Sequence, residues 1–334
     1  MITKEMTYKG ISEHPLLKDL APYFITRMDL SAQPHYTKTL DEFHKAGGWN
    51  ADAIVFGLNR LYRNLEAGHC RFPLYTEEEI AADPDKKDPF LLFFPSEDPK
   101  ADERPWILVA PGGAYINVWS LTEGYPVAAR FNDLGYHAFV INYRVSIDSL
   151  FPRPLEDIAR ALTVIRDSKN AFPVQWDNYV AVGFSAGANL ICNWTLRDHG
   201  YPVYGMPEAK VLLPIYAPIS FHDPEEETGT EEPDGDEDWF ARYAFGLTND
   251  EVIAAGWSIE DHVEGFPPTF LCCCADDDLV DPENSRIMKR ALDAAGIPCE
   301  LEIHAHGGHG FADGRNTDAA GWIDRAVAFI EAHI

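Results

Sequence analysis

Along the chain, short continuous apolar runs alternate with stretches in which apolar residues recur every three or four positions. The runs are Phe90 to Pro95, Trp106 to Ala110, Ala138 to Tyr143, Tyr179 to Gly183, Val211 to Ala217, Thr269 to Ala275 and Glu300 to Ala305, each of strand length. Helical spacing appears from Pro154 to Ser168, where Leu155, Ile158, Leu162 and Ile165 share a face, and again over Pro282 to Ala295 and Ala319 to His333. Strands apolar on both sides must be covered on both sides, so the pattern predicts an α/β fold: a mostly parallel central sheet flanked by helices. We expect one elaborated domain over residues 88–334.

The first 87 residues differ and read as a helical N-terminal extension. Thr39 and Glu42 have capping-box spacing, and Gly47-Gly48 ends that short helix. Asn50 caps a second helix with Ile54, Val55, Leu58, Leu61, Tyr62 and Leu65 along one face, and Gly68 stops it. Such a stripe has to pack: on the core, in the wall of a substrate pocket, or against a second copy in a homodimer. A second irregularity, residues 220–265, interrupts the alternation with an acidic run and then Trp239, Phe240, Tyr243, Phe245 and Trp257. An insertion there lies near the carboxyl ends of the strands, where open α/β sheets bind ligands, so a lid or pocket wall is expected.

Composition narrows the partners. With 46% hydrophobic and 24% charged residues the chain is an ordinary globular protein. Its longest apolar runs, such as Phe90 to Phe94, are too short to span a bilayer. The opening Met1-Ile2-Thr3-Lys4-Glu5 carries no apolar signal region, so a cytoplasmic location is expected. A formal charge of −27 disfavours nucleic acid and anionic membrane as partners. Ten of the acidic side chains lie between Asp223 and Asp238, read as a solvated loop without the ligand spacing of a calcium-binding turn. The cysteines, Cys70, Cys192, Cys272, Cys273, Cys274 and Cys299, include a trio inside an apolar run. Neighbours on a strand face opposite ways, so these are buried thiols rather than a metal cage.

The candidate chemistry centres on Gly183-Phe184-Ser185-Ala186-Gly187. The apolar strand Tyr179 to Val182 leads in and a small-residue helix start leads out, the context of a nucleophile elbow that exposes the Ser185 hydroxyl. A hydroxyl needs a base, and the base needs an orienting acid. Two later strand ends supply them: Asp276-Asp277-Asp278-Leu279-Val280-Asp281 after one, and His306-Gly307-Gly308-His309-Gly310-Phe311 after the next. His309, between glycines, is the expected base; His304 and His306 read as surface or packing residues, and a metal site built from the three histidines and the aspartates is disfavoured. Asp277 is the expected acid, with Asp276, Asp278 and Asp281 as neighbouring alternatives. The strand Trp106 to Ala110 runs into Pro111-Gly112-Gly113-Ala114-Tyr115. Its Gly113 and Ala114 N–H groups, with that of Ala186, are the expected oxyanion-hole donors. Tyr115 and Trp119, with Trp239 or Trp257, are candidates for stacking on substrate, or else core residues.

These motifs, together with Asn142-Tyr143-Arg144, Pro154-Leu155-Glu156-Asp157 and His309-Gly310-Phe311, resemble those of the esterase/lipase branch of the α/β-hydrolase superfamily. The likeness is to bacterial carboxylesterases related to hormone-sensitive lipase, especially acetyl xylan esterase-like sugar-ester hydrolases, and it covers residues 88–334. It implies an α/β-hydrolase fold, with Asp277 as acid two residues ahead of a Val-Val-Pro-like triplet in which Asp281 replaces proline. It also implies hydrolysis of short acyl esters, acetylated oligosaccharides foremost, without metal or organic cofactor. Pro111 and Ala114 depart from the His-Gly-Gly-Gly form of the oxyanion loop. A lactonase, thioesterase or serine peptidase would use the same triad, and a non-catalytic ligand-binding relative would normally have lost part of it.

Overall fold

A computed structural model describes residues 1–69, 71–146, 149–168, 170–222 and 238–334; most of the acidic run therefore lies outside the described residues. Among the described residues eight strands form one sheet: β1 Arg71–Pro73, β2 Phe90–Phe94, β3 Trp106–Ala110, β4 Ala138–Asn142, β5 Tyr179–Phe184, β6 Leu212–Ile215, β7 Thr269–Cys274 and β8 Cys299–His304. Their spatial order is β1-β2-β4-β3-β5-β6-β7-β8. The pairs β1/β2 and β2/β4 are antiparallel and all others parallel. The seven apolar runs all become strands. The eighth, β1, was not legible: three residues long, ending in Pro73 and partly exposed, it has no apolar run to announce it. A short proline-terminated strand suits a sheet edge.

Both faces of the sheet are buried, as continuous apolar strands require. Ile107 and Val109 pack with Ile54, Leu58, Phe131 and Trp322 on one side. Leu108 and Ala110 pack with Leu155, Ile158, Leu190 and Leu292 on the other. Helices Ala51–Glu66, Tyr125–Asp133 and Trp322–His333 thus cover one face, and Arg153–Asp167, Ala186–Thr195 and Glu283–Ala294 the other. The Tyr125–Asp133 helix and the short Glu77–Ala82 and Asn249–Ala254 helices were not anticipated; the last two begin with capping boxes, Thr76/Glu79 and Thr248/Glu251, that are visible in the sequence.

The N-terminal residues pack on the sheet's own core. Ala51, Ile54, Leu58 and Leu61 are buried along the inner face of their helix, each large aliphatic side chain contributing about 1.5–3 kcal/mol. Backbone hydrogen bonds Thr26 N to Val118 O (3.0 Å) and Leu121 N to Phe24 O (2.8 Å) stitch the extension to the segment after β3. Behind β4, two motifs meet. The Arg144 backbone N–H and Nε donate to Asp157 at 2.7 and 2.9 Å, and Nη2 reaches Tyr75, Glu156 and the Arg153 carbonyl.

Candidate active site

β5 leads into the Ala186–Thr195 helix with a single residue between them. That residue, Ser185, has φ 50° and ψ −120°, a conformation that costs a non-glycine residue about 1–3 kcal/mol. The turn is tight enough to dictate its neighbours. A Cβ on Gly183 would stand 2.3 Å from the Gly187 carbonyl oxygen, and one on Gly187 would stand 2.1 Å from the Ala110 oxygen. Glycine at both positions is therefore a steric condition of the elbow. The Ser185 carbonyl accepts the N–H groups of Ala188 (2.9 Å) and Asn189 (3.0 Å), anchoring the serine to the first helical turn.

His309 sits in the loop after β8. Its Nε2 is 3.0 Å from Ser185 Oγ, and its Nδ1 is 2.8 Å from Asp277 Oδ2. The Asp277 carboxylate is fully buried, and its other oxygen accepts the N–H groups of Leu279 (3.0 Å) and Val280 (2.9 Å). The neighbouring aspartates do not reach the imidazole nitrogens. Asp276 Oδ1 accepts the Gly307 (3.0 Å) and Gly308 (2.8 Å) N–H groups, so it braces the loop that carries the imidazole. Those backbone hydrogen bonds, the one from Gly308 foremost, hold the Asp276 carboxyl below its ordinary range. Asp281 Oδ1 accepts the Glu283 N–H at 2.8 Å where the following helix begins, and Asp278 is exposed at the rim.

The loop after β3 turns through three successive residues of positive φ: Gly113 (129°), Ala114 (53°) and Tyr115 (60°). Its first carbonyls are taken. Pro111 O accepts the Tyr143 hydroxyl at 2.6 Å, Gly112 O the Trp119 N–H at 3.0 Å, and Gly113 O the Ile116 and Asn117 N–H groups at 2.9 Å. The Gly112 N–H is also taken, by Glu123 Oε2 at 2.6 Å. Among the described residues no acceptor pairs with the N–H groups of Gly113, Ala114 or Ala186.

Ser185, His309, Gly113 and Ala114 line a cleft of about 1010 Å³. Gly47, Gly48, Trp49, Asn50 and Ala53 of the extension line it too, with Trp119, Arg315 and Phe311, and with Phe221, Trp239, Phe240 and Asn249 of the 220–265 region. Trp49 and Trp119 meet edge to face, centroids 5.4 Å apart. Trp119 thus lines the cleft. Tyr115 does not: it is fully buried, its hydroxyl donates to Asn189 Oδ1 at 2.8 Å, and its ring packs on Phe151. The positive φ that opens the loop turns this side chain inward. Trp257 is likewise away from the cleft, stacked on His199 at 3.8 Å. Trp49, Arg315 and Glu123 were missed; only the helical spacing around Trp49 hinted at any of them.

The fold, the elbow and the order of the strand-end residues agree with a match to known sequences. A family model described as alpha/beta hydrolase fold matches residues 109–313. The chain belongs to the alpha/beta hydrolase fold family. Endo-1,4-beta-xylanase B of Butyrivibrio fibrisolvens is 30% identical over 237 residues, covering 66% of this chain and 34% of that protein. Acetylxylan esterase of Xylanibacter ruminicola is 26% identical over 235 residues, covering 69% of this chain and 45% of that protein. The chain thus spans about a third to a half of the length of these curated relatives. Among solved structures, an acetyl ester-xyloside bifunctional hydrolase from Caldicellulosiruptor lactoaceticus superposes with a TM-score of 0.62 at 28% identity, covering 79% of this chain and 96% of that one.

Elsewhere in this alpha/beta hydrolase-fold chain, Cys272, Glu302 and His304 bring possible ligand atoms within 4.8 Å of one another. A cation is already there: the Arg325 guanidinium bonds both Glu302 oxygens, at 2.5 and 2.8 Å, and Glu302 also pairs with His304 at 3.0 Å. His306 is exposed, 3.6 Å from Asp276. Cys272, Cys273 and Cys274 are buried free thiols on β7. Among the described residues no helix is long and apolar enough to cross a membrane.

Proposed function

We propose that this chain is a serine carboxylic-ester hydrolase acting on short acyl esters, acetyl groups on carbohydrate foremost. The observation that carries the reading is the hydrogen-bonded relay from Asp277 through His309 to Ser185, opening onto the cleft beside three N–H groups that have no partner among the described residues. In the proposed reaction His309 Nε2 takes the Ser185 proton as Oγ attacks the ester carbonyl. Asp277, held on Nδ1, keeps the imidazole in the tautomer that leaves Nε2 free and stabilises the imidazolium that forms. The negative charge that develops on the carbonyl oxygen is met by the N–H groups of Gly113, Ala114 and Ala186. Collapse expels the alcohol, which takes its proton from His309; water then attacks the acyl-serine through the same base and releases the acid.

Two things support the carbohydrate alcohol. The names of two relatives and one structural neighbour refer to acetylxylan or acetyl ester-xyloside substrates or to xylan itself. Trp49, Trp119 and Trp239 in the cleft offer faces of the size and polarity that sugar rings stack on. The test is hydrolysis of a chromogenic acetate ester by the wild type and by Ser185→Ala. An active wild type and a variant slowed at least about 10⁴-fold are expected; an inactive wild type or an equally active variant sinks the reading. Acetate release from acetylated xylo-oligosaccharides, compared with a longer-chain acyl ester, then tests the substrate.

A further inference from the structure

Glu123 is a buried acid that the proposed chemistry does not use. It lies in a single π-helical turn, Ser120–Gly124, an irregularity that concentrates at functional sites. The turn points its carboxyl between three loops of the site. Oε2 accepts the Gly112 N–H at 2.6 Å, immediately before the two loop N–H groups expected to meet the oxyanion. Oε1 accepts the Tyr216 hydroxyl at 3.0 Å. Tyr216 follows β6, and its hydroxyl oxygen in turn accepts the Ala312 N–H at 3.3 Å, in the loop that carries His309. The Tyr216 ring also packs on the imidazole, centroids 4.8 Å apart.

Among the described residues no other acceptor takes the Gly112 N–H, and Ala114 and Tyr115 sit at positive φ, a region non-glycine residues rarely adopt unless their surroundings hold them there. We propose that Glu123 is a positioning residue: by holding Gly112 and Tyr216 at once, it orients the Gly113 and Ala114 N–H groups and keeps them in register with the histidine loop. This rests on the ester-hydrolase reading above. Burial pushes the Glu123 carboxyl above its ordinary range, against the Gly112 N–H, His309 and Tyr216, which pull it down.

The proposal predicts a loss confined to the transition state. Glu123→Ala lowers kcat about 100-fold, the scale of a lost oxyanion donor, and leaves KM within about twofold. Affinity for a trifluoromethyl ketone, which forms a tetrahedral adduct on Ser185, falls in parallel. Glu123→Gln keeps an oxygen for Gly112 and recovers kcat to within about fivefold of wild type. Circular dichroism and thermal melting accompany each assay. A folded Glu123→Ala with kcat within about threefold of wild type, a loss lying in KM, or a Gln variant as slow as Ala overturns the proposal. If the alanine variant does not fold, Tyr216→Phe carries the test: kcat falls by about fivefold at constant KM, and an unchanged kcat overturns it. An inactive wild type defeats the ester-hydrolase reading and this proposal with it; an active wild type with unaltered variants defeats this proposal alone.

Discussion

The Arg144–Asp157 cluster and the Ser185 cleft both bury charged and polar groups beside the carboxyl ends of the strands, yet they are finished differently. Asp157 is fully buried and Arg144 nearly so. The Arg144 Nε and Nη2 groups are hydrogen-bonded, Nη1 lies 4.0 Å from Asp83 Oδ2, and the Tyr75 hydroxyl donates to Asp157 at 2.6 Å. In the cleft the Pro111, Gly112 and Gly113 carbonyls are satisfied, but the Gly113, Ala114 and Ala186 N–H groups have no partner among the described residues. A saturated cluster locks the backbone, whereas an unsaturated one facing solvent keeps hydrogen-bonding capacity for a substrate. The strain follows the same division. Ser185 at φ 50° is tolerated because β5, the Ala186–Thr195 helix and two glycine contacts over-determine it.

Breaking each side should therefore give opposite signatures. On the cleft side, Asp277→Asn leaves His309 with the wrong tautomer and slows ester hydrolysis about 10⁴-fold, at little cost in melting temperature. Asp157→Ala does the reverse. It strands the Arg144 guanidinium, costs about 3–5 kcal/mol in urea unfolding, and leaves kcat per folded molecule unchanged. A cleft variant that unfolds, or an Asp157 variant that stays folded and loses kcat, erases the distinction. Ser185→Gly sharpens it, abolishing activity while raising stability by about 1 kcal/mol, because glycine adopts the elbow conformation without penalty; Ser185→Ala, which keeps the Cβ, gains nothing. The smallest effect concerns Glu123. The folded protein holds this proton to higher pH than the unfolded chain does. Its contribution to stability is therefore full below the ordinary carboxylate pKa and is lost as pH rises through the raised value. The melting temperature of Glu123→Gln relative to wild type should accordingly increase with pH; a difference that stays flat or falls shows that folding does not raise the carboxyl's pKa.

Much of this was readable along the chain where the cause is local. The seven main strands announced themselves because each is apolar on both faces, and the helix starts at Leu40 and Ala51 because Thr39, Glu42 and Asn50 cap them within three residues. β1 escaped because an edge strand of three residues buries too little to leave a pattern. Tyr115 and Trp119 looked alike as aromatics near a glycine loop, yet one turns into the core and the other lines the cleft. A peptide plane decides that, and residue type carries no record of it.

The sequence by itself determined the α/β architecture and the elbow at Ser185, because periodicity and the glycine contacts act over a few residues. Only the tertiary structure decided which of four aspartates meets His309. It also decided that Trp49 of the N-terminal extension reaches the cleft, and that Glu123 joins Gly112 to Tyr216. Asp277 and His309 are 32 residues apart, and Glu123 and Tyr216 are 93 apart. Pairings at such separations are set by how the sheet stacks its strands and where each loop can then reach.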